Sequence, residues 1–283
     1  MVESGGSPFT FTPHLAKTYL STERRIYQRR IMLALDGEIG HFQSSLHGCL
    51  VEKEESKTLL TSWTGLDLFM GGFPASKVTL IDSESPTFIN EVTSLLCVRS
   101  IEDFDGGVVY IDGGNSIDPY RIAEFSRRSG MDQQSTLSKI FLSRAFTAYQ
   151  LSTIITEKLG EMIHKCNPPL LVVSRISNLF LDGALSKDEA KSVMGRCLTT
   201  IKDLTVENDM ITVITNNIRR NHHHLPLREL IYQNVDGCLV VELSKKGLKI
   251  GSSDGYYTEF CTVLNHQRRL EEFGGGQLYG AHS

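Results

Sequence analysis

Long apolar runs are missing from this sequence. No stretch reaches the roughly 18 residues that a membrane-crossing helix needs, so no membrane partner is expected. The first residues, Met1 to Pro13, lack the basic-then-apolar order of a signal peptide, which points to a soluble, intracellular, cytoplasmic protein. Cys-x-x-Cys pairs are missing as well. The six cysteines (Cys49, Cys97, Cys166, Cys197, Cys238 and Cys261) stand apart, several of them in apolar stretches, so buried free thiols are expected rather than disulfides or zinc. Strong charge of either sign is also absent. A formal net charge of −4 announces no general affinity for nucleic acid, so any such surface must be local. No repeat of 20–50 residues is visible, which excludes solenoids and propellers.

What remains is ordinary globular composition, 40% hydrophobic and 22% charged, enough for one large domain with a smaller N-terminal piece. Residues 1–58 divide into a Ser/Gly/Thr/Pro-rich lead and a basic helical stretch over 14–36 that carries Arg24, Arg25, Arg29 and Arg30. Residues 59–265 alternate strand and helix, and 266–283 read as a Gly-rich tail. Strands are expected at Lys77–Ile81, Gly107–Asp112, Lys139–Ser143, Leu170–Ser174, Met210–Thr215, Gly237–Leu243 and Phe260–Asn265. Helices are expected at Asn90–Ile101, Pro119–Ser129, Ala148–Lys165 and Lys187–Glu207. Short apolar strands separated by helices imply an α/β fold: a mainly parallel, twisted sheet covered on both faces. The closely spaced last strands imply an antiparallel C-terminal extension.

One slot in this pattern is chemically blank. After the first core strand and before its helix stand Ser83-Glu84-Ser85-Pro86-Thr87-Phe88-Ile89-Asn90. A phosphate-binding loop at such a junction is Gly-rich and ends in Gly-Lys-Ser/Thr. This stretch has no Gly and no Lys, and Pro86 removes an amide donor.

Several segments in register resemble the RecA/RadA recombinase superfamily over about residues 61–265. Leu66-Asp67 with Gly71-Gly72 resembles the family's entry to its first core strand. Val109-Tyr110-Ile111-Asp112 followed by Asp118-Pro119-Tyr120-Arg121-Ile122 resembles its Y-I-D-T-E … R-P-E-R-I segment. Phe141-Leu142-Ser143-Arg144-Ala145-Phe146 with Gln150-Leu151 resembles the next strand, and Ile214-Thr215-Asn216-Asn217 resembles its T-N-Q segment. The subgroup it looks most like is the archaeal RadA paralogues and the paralogues of the eukaryotic strand-exchange recombinase. The resemblance implies a RecA-like P-loop NTPase core. It also implies where the family's chemistry is replaced. Ile89 and Asn90 stand at the Lys and Thr of the phosphate loop. Ser174 and Arg175 stand at the metal-ordering aspartate that follows the Leu170–Val173 strand. Gly113 and Gly114 stand where the water-activating glutamate belongs, and Asn217 stands for the phosphate-sensing Gln. The expectation is a pseudo-ATPase with no catalytic residue, no cofactor and no metal.

The same resemblance implies partners: a RecA/RadA-type recombinase, further copies of this chain, or single-stranded DNA. Candidate nucleic-acid contacts are Arg219, Arg220 and Arg228, in a stretch that also holds His222, His223 and His224, together with Arg24, Arg25, Arg29 and Arg30. A solvated or protein-binding surface is the competing reading of each. Phe146-Thr147-Ala148 reads as packing at a strand-to-helix junction; Phe9-Thr10-Phe11-Thr12 is the better docking-peptide candidate, although it lacks the family's Ala. Two other functions stay open. One is a degenerate scaffold subunit of another assembly, in tRNA modification or KaiC-like signalling. The other is an ATPase with a relocated nucleotide site.

Overall fold

The computed structural model describes residues 57–181, 183–217, 225–244, 247–252 and 257–260. Arg24, Arg25, Arg29, Arg30, Arg219, Arg220, the three histidines and the Phe9–Thr12 peptide lie outside them.

A two-stranded ribbon, β1 (Thr58–Leu59) with β2 (Phe73–Pro74), brackets helix α1 (Thr64–Met70). The main chain of elements then runs β3 (Lys77–Ser83), α2 (Pro86–Phe104), β4 (Val108–Asp112), α3 (Pro119–Arg128), α4 (Gln133–Ser138) and β5 (Ile140–Arg144). It continues through α5 (Ala148–Thr153), a π-helical turn (Ile154–Lys158), α6 (Leu159–Cys166), β6 (Leu170–Ser174), α7 (Lys187–Glu207), β7 (Ile211–Asn216) and α8 (Leu225–Gln233). Strands β8 (Gly237–Ser244), β9 (Gly247–Ser252) and β10 (Tyr257–Phe260) follow.

The sheet order is β10-β9-β8-β3-β7-β6-β4-β5. Strands β8, β3, β7, β6, β4 and β5 pair in parallel. β8, β9 and β10 pair antiparallel, which is the expected C-terminal extension.

Alternation along each central strand divides the core. Leu80, Val109, Ile111, Leu171, Val173 and Ile214 face α5, α6, α7 and α8. Ile81, Val108, Tyr110, Leu170, Val172 and Val213 face the opposite way, against α2. With apolar residues on both faces, these strands read as continuous hydrophobic runs, and all five residues of β4 and of β6 are buried.

Helix α2 starts earlier than the apolar pattern suggests, at Pro86 instead of Asn90. The reason is local chemistry. The Ser85 hydroxyl accepts the Phe88 amide, and Pro86 occupies the first helical position, where its missing N–H costs nothing. The helix runs past Ile101 to Phe104 and ends at Asp105 in the left-handed region (φ 50°). The expected single helix 148–165 is instead interrupted by the π turn at Ile154–Lys158. Helix α8 occupies residues expected to be loop. Small elements such as α1 and α4 carry too little periodic pattern to be read from sequence.

Candidate functional site

The carboxyl ends of the central strands lie side by side. In register, Asp82 of β3 stands opposite Asn216 of β7, and Asp112 of β4 stands opposite Ser174 of β6. In open α/β sheets this is the rim where ligands bind.

The first expected site element is reshaped. Residues 83–90 do not form a loop. Ser83 is the last residue of β3, only Glu84 and Ser85 connect it to α2, and Pro86–Asn90 are already helix. Ser83 donates to the Val241 carbonyl and accepts the Ser85 amide, which closes the turn upon itself. Phe88 and Ile89 are buried in the core, and the Phe88 ring lies 5.8 Å from that of Trp63. Burying two such side chains contributes roughly 1.5–3 kcal/mol each. The position that would carry a lysine toward a phosphate is therefore a core position.

The second and third elements meet. Ser174 is fully buried, and its hydroxyl lies 2.5 Å from that of Ser116 and 3.3 Å from that of Thr215. Asp112 also has no exposure. Its carboxylate accepts from the amides of Gly114 (3.2 Å), Ser116 (2.9 Å) and Ile117 (3.2 Å) and from the Ser116 hydroxyl (3.0 Å), with Arg144 3.5 Å away. Asp112 thus organises the turn after β4, as a strand-end carboxylate bonded to neighbouring amides. The helix cap that follows is Asp118, which accepts from the amides of Tyr120 and Arg121.

Arg175 lies across this rim. It has a left-handed backbone (φ 52°), and its amide donates to the Thr215 hydroxyl at 2.9 Å. Its guanidinium donates to the Gly114 carbonyl at 3.4 Å and to the Asn90 side-chain oxygen at 3.5 Å. A Cβ at Gly114 would come within 2.4 Å of Arg175 Cδ and 2.8 Å of its Cβ, so a side chain there would force the arginine to shift. Three positions far apart in sequence (Asn90, Gly114 and Arg175) are thereby joined around one cation. Sequence reading singled each of them out separately. It did not foresee that the hydroxyls of Ser116, after β4, and Thr215, inside β7, would join this cluster.

Arg228 is engaged within the chain. Its Nε and Nη2 lie 3.0 and 2.9 Å from Asp82 Oδ2, and its guanidinium stacks 5.2 Å from the Tyr232 ring. The Tyr232 hydroxyl also donates to Asp82, at 2.7 Å. Burial raises the Asp82 carboxyl above its ordinary range, opposed by Arg228 and Tyr232. Burial likewise raises the Tyr232 phenol, and it lifts the Cys238 thiol to about 12. The Cys97 thiol, inside α2, also rises to about 12 through burial, which makes it chemically inert. Cys97, Cys166, Cys197 and Cys238 are all free.

The margin of the sheet at β5 is different in character. Phe141 (41%), Leu142 (44%), Phe146 (69%) and Tyr149 (55%) are substantially exposed. Ala148 is buried and Thr147 caps α5, as junction packing requires, but Phe146 faces outward and does not pack.

Among the described residues, no group of three His, Cys, Asp or Glu is placed to hold a metal. No described helix is long and apolar enough to cross a membrane.

The parallel block, its two-faced helical cover and the rim at its carboxyl ends define a RecA-like α/β core. A family model described as Rad51 matches residues 55–232, more than half of the sequence, and the chain belongs to that family. It is 25% identical over 181 residues to a meiotic recombination protein DMC1 homolog of Lilium longiflorum, covering 60% of this chain and 51% of that one. It is 24% identical over 191 residues to the DNA repair and recombination protein RadA of Methanococcus maripaludis, covering 60% and 58%. With RadA of Methanococcus voltae it shares 26% identity over 116 residues, covering 39% and 35%. The chain thus spans roughly half the length, or less, of the curated relatives it matches.

Proposed function

We propose that this chain is a non-catalytic, RecA-like paralogue that assists homologous recombination or DNA repair by binding a recombinase, its own copies or single-stranded DNA. The observation that carries the first half is the two-residue β3–α2 connection, with Ser85 capping the helix and Ile89 in the core. A phosphate cradle needs a loop of free amides and a lysine that can reach the ligand. Here the turn is closed by Ser83 and Ser85, and the lysine position is filled by a core aliphatic. The Ser174-Arg175 pair supports the same reading, since a guanidinium cannot hold Mg²⁺ and no carboxylate is supplied at Gly113 or Gly114.

The recombination half rests on the family and on relatives whose names state repair and recombination. The exposed β5 margin, with Phe141, Leu142, Phe146 and Tyr149, supports protein association over catalysis. Arg219 and Arg220 remain the candidate DNA contacts. Arg228 is engaged by Asp82 and serves the fold. Work of this kind would place the chain inside the cell.

A phosphate-release assay and a fluorescent-ATP titration test the first half; Mg²⁺-dependent turnover would overturn it. Capture of partners from the native organism tests the second. A recombinase or single-stranded DNA in the captured material supports it. A tRNA-modification or signalling assembly replaces it with the scaffold reading.

A further inference from the structure

We infer that Arg175 is a built-in occupant of the emptied site, an intrachain cation that makes the conformation of this rim independent of nucleotide. The inference rests on the non-catalytic reading and names how the same site is regulated: it is not switched at all.

Three observations support it. First, Arg175 touches three of the elements that border the rim. Its amide binds Thr215 at the end of β7, one guanidinium nitrogen binds the Gly114 carbonyl after β4, and the other binds Asn90 in the first turns of α2. A diffusible ligand bound here would have to make such bridging contacts itself; here they are covalently part of the chain. Second, the fit is steric as well as polar. The arginine stem covers Gly114 so closely that a Cβ there would meet Cδ at 2.4 Å, Cβ at 2.8 Å and Cγ at 3.1 Å. Third, the backbone is committed to the arrangement. Arg175 adopts φ 52°, a costly conformation for a residue with a side chain, which persists where surrounding contacts fix it. The bridge is not saturated. The Arg175 Nε–H is buried without an acceptor among the described residues. Inorganic phosphate is therefore included as a probe.

The test uses the full chain as wild type, Gly114→Ala, Arg175→Ala and the double variant. Thermal unfolding and hydrogen exchange over residues 113–117 are measured with and without Mg²⁺-ATP, Mg²⁺-ADP, inorganic phosphate and EDTA. Wild type is expected to be unmoved by all four additions. Gly114→Ala alone should lower Tm by about 4–10 °C, the order expected for overpacking against a buried side chain in a domain of this size. Arg175→Ala should lower Tm and speed exchange at 113–117. In the double variant the contacts with Cδ and Cγ are gone and only the one with the residue-175 Cβ, at 2.8 Å, remains, so the two losses of Tm should be clearly less than additive. If Gly114→Ala does not fold, folding of the double variant is the same result.

Strictly additive losses, or a shift of wild type with nucleotide or phosphate, overturn the inference. Phosphate release by wild type would instead sink the non-catalytic reading beneath it. An additive cycle in a protein that neither binds nor hydrolyses ATP leaves that reading standing and removes only the role of Arg175.

Discussion

The rim at the carboxyl ends of the central strands and the margin at β5 belong to one sheet, yet they treat their surroundings in opposite ways. At the rim, polar groups are turned inward. Asp112 collects the amides that follow it, Ser174 bonds to Ser116 and Thr215, and Arg175 spans from Gly114 to Asn90. At the margin, apolar side chains are turned outward, with Phe146 and Tyr149 the most exposed. A small-ligand site needs donors left free and space beside them. A docking edge needs unpaired strand and exposed apolar surface. The contrast separates two properties that share a fold: the ability to turn over a nucleotide and the ability to hold a partner.

The strongest test of the rim is Ile89→Lys, which restores the family's residue type. Ile89 has no solvent exposure, so an ammonium there is expected to cost about 3–5 kcal/mol in urea unfolding and to confer no ATP binding. Near-native stability together with ATP binding would collapse the contrast. At the margin, Phe146→Glu should weaken association with the captured partner at least about tenfold while moving stability by no more than about 0.5 kcal/mol. Unchanged association would free the margin of its assigned role. A smaller effect sharpens the rim: Ser85→Ala should destabilise by about 1 kcal/mol, through loss of the bond to the Phe88 amide.

The smallest effect is a pH dependence. Asp82 has its pKa raised by burial, so between the unfolded value near 3.9 and the raised folded value the native state holds more protons than the unfolded state. Its contribution is most favourable below that unfolded value and declines as pH rises through the folded one. The stability of wild type relative to Asp82→Asn should therefore fall across that window, measured by urea titration at successive pH values.

Much of this was legible in the sequence, for identifiable reasons. The strands β4, β6 and β7 are short apolar runs buried on both faces, so their composition marks them within a residue. The expected replacement of lysine, aspartate and glutamate could be read because each position sits in a recognisable flank. The geometry around them was not. Nothing in Ser83–Asn90 shows that the loop has vanished, because Ser-Pro at a helix start and Ser-Pro in a turn look alike until the Ser85–Phe88 bond is seen. Arg228 looked available because a charged residue near a loop is usually solvated, and its partner Asp82 lies 146 positions away. Phe146 reads as packing because it falls at a strand-to-helix junction between the buried Ala145 and Ala148, yet it is exposed beside the edge strand β5.

The contact between Gly114 and Arg175 also bears on history. A glutamate cannot return to position 114 while the arginine covers it, and an aspartate returned to position 175 would remove the cation that now joins three elements. Either reversal taken alone passes through a less stable protein. Even both together leave Pro86–Asn90 wound into α2 and Ile89 in the core. On the proposed non-catalytic reading this acts as a ratchet: a descendant that gained hydrolysis would have to unwind the first turn of α2 and withdraw Ile89 from the core before any substituted side chain had a ligand to meet.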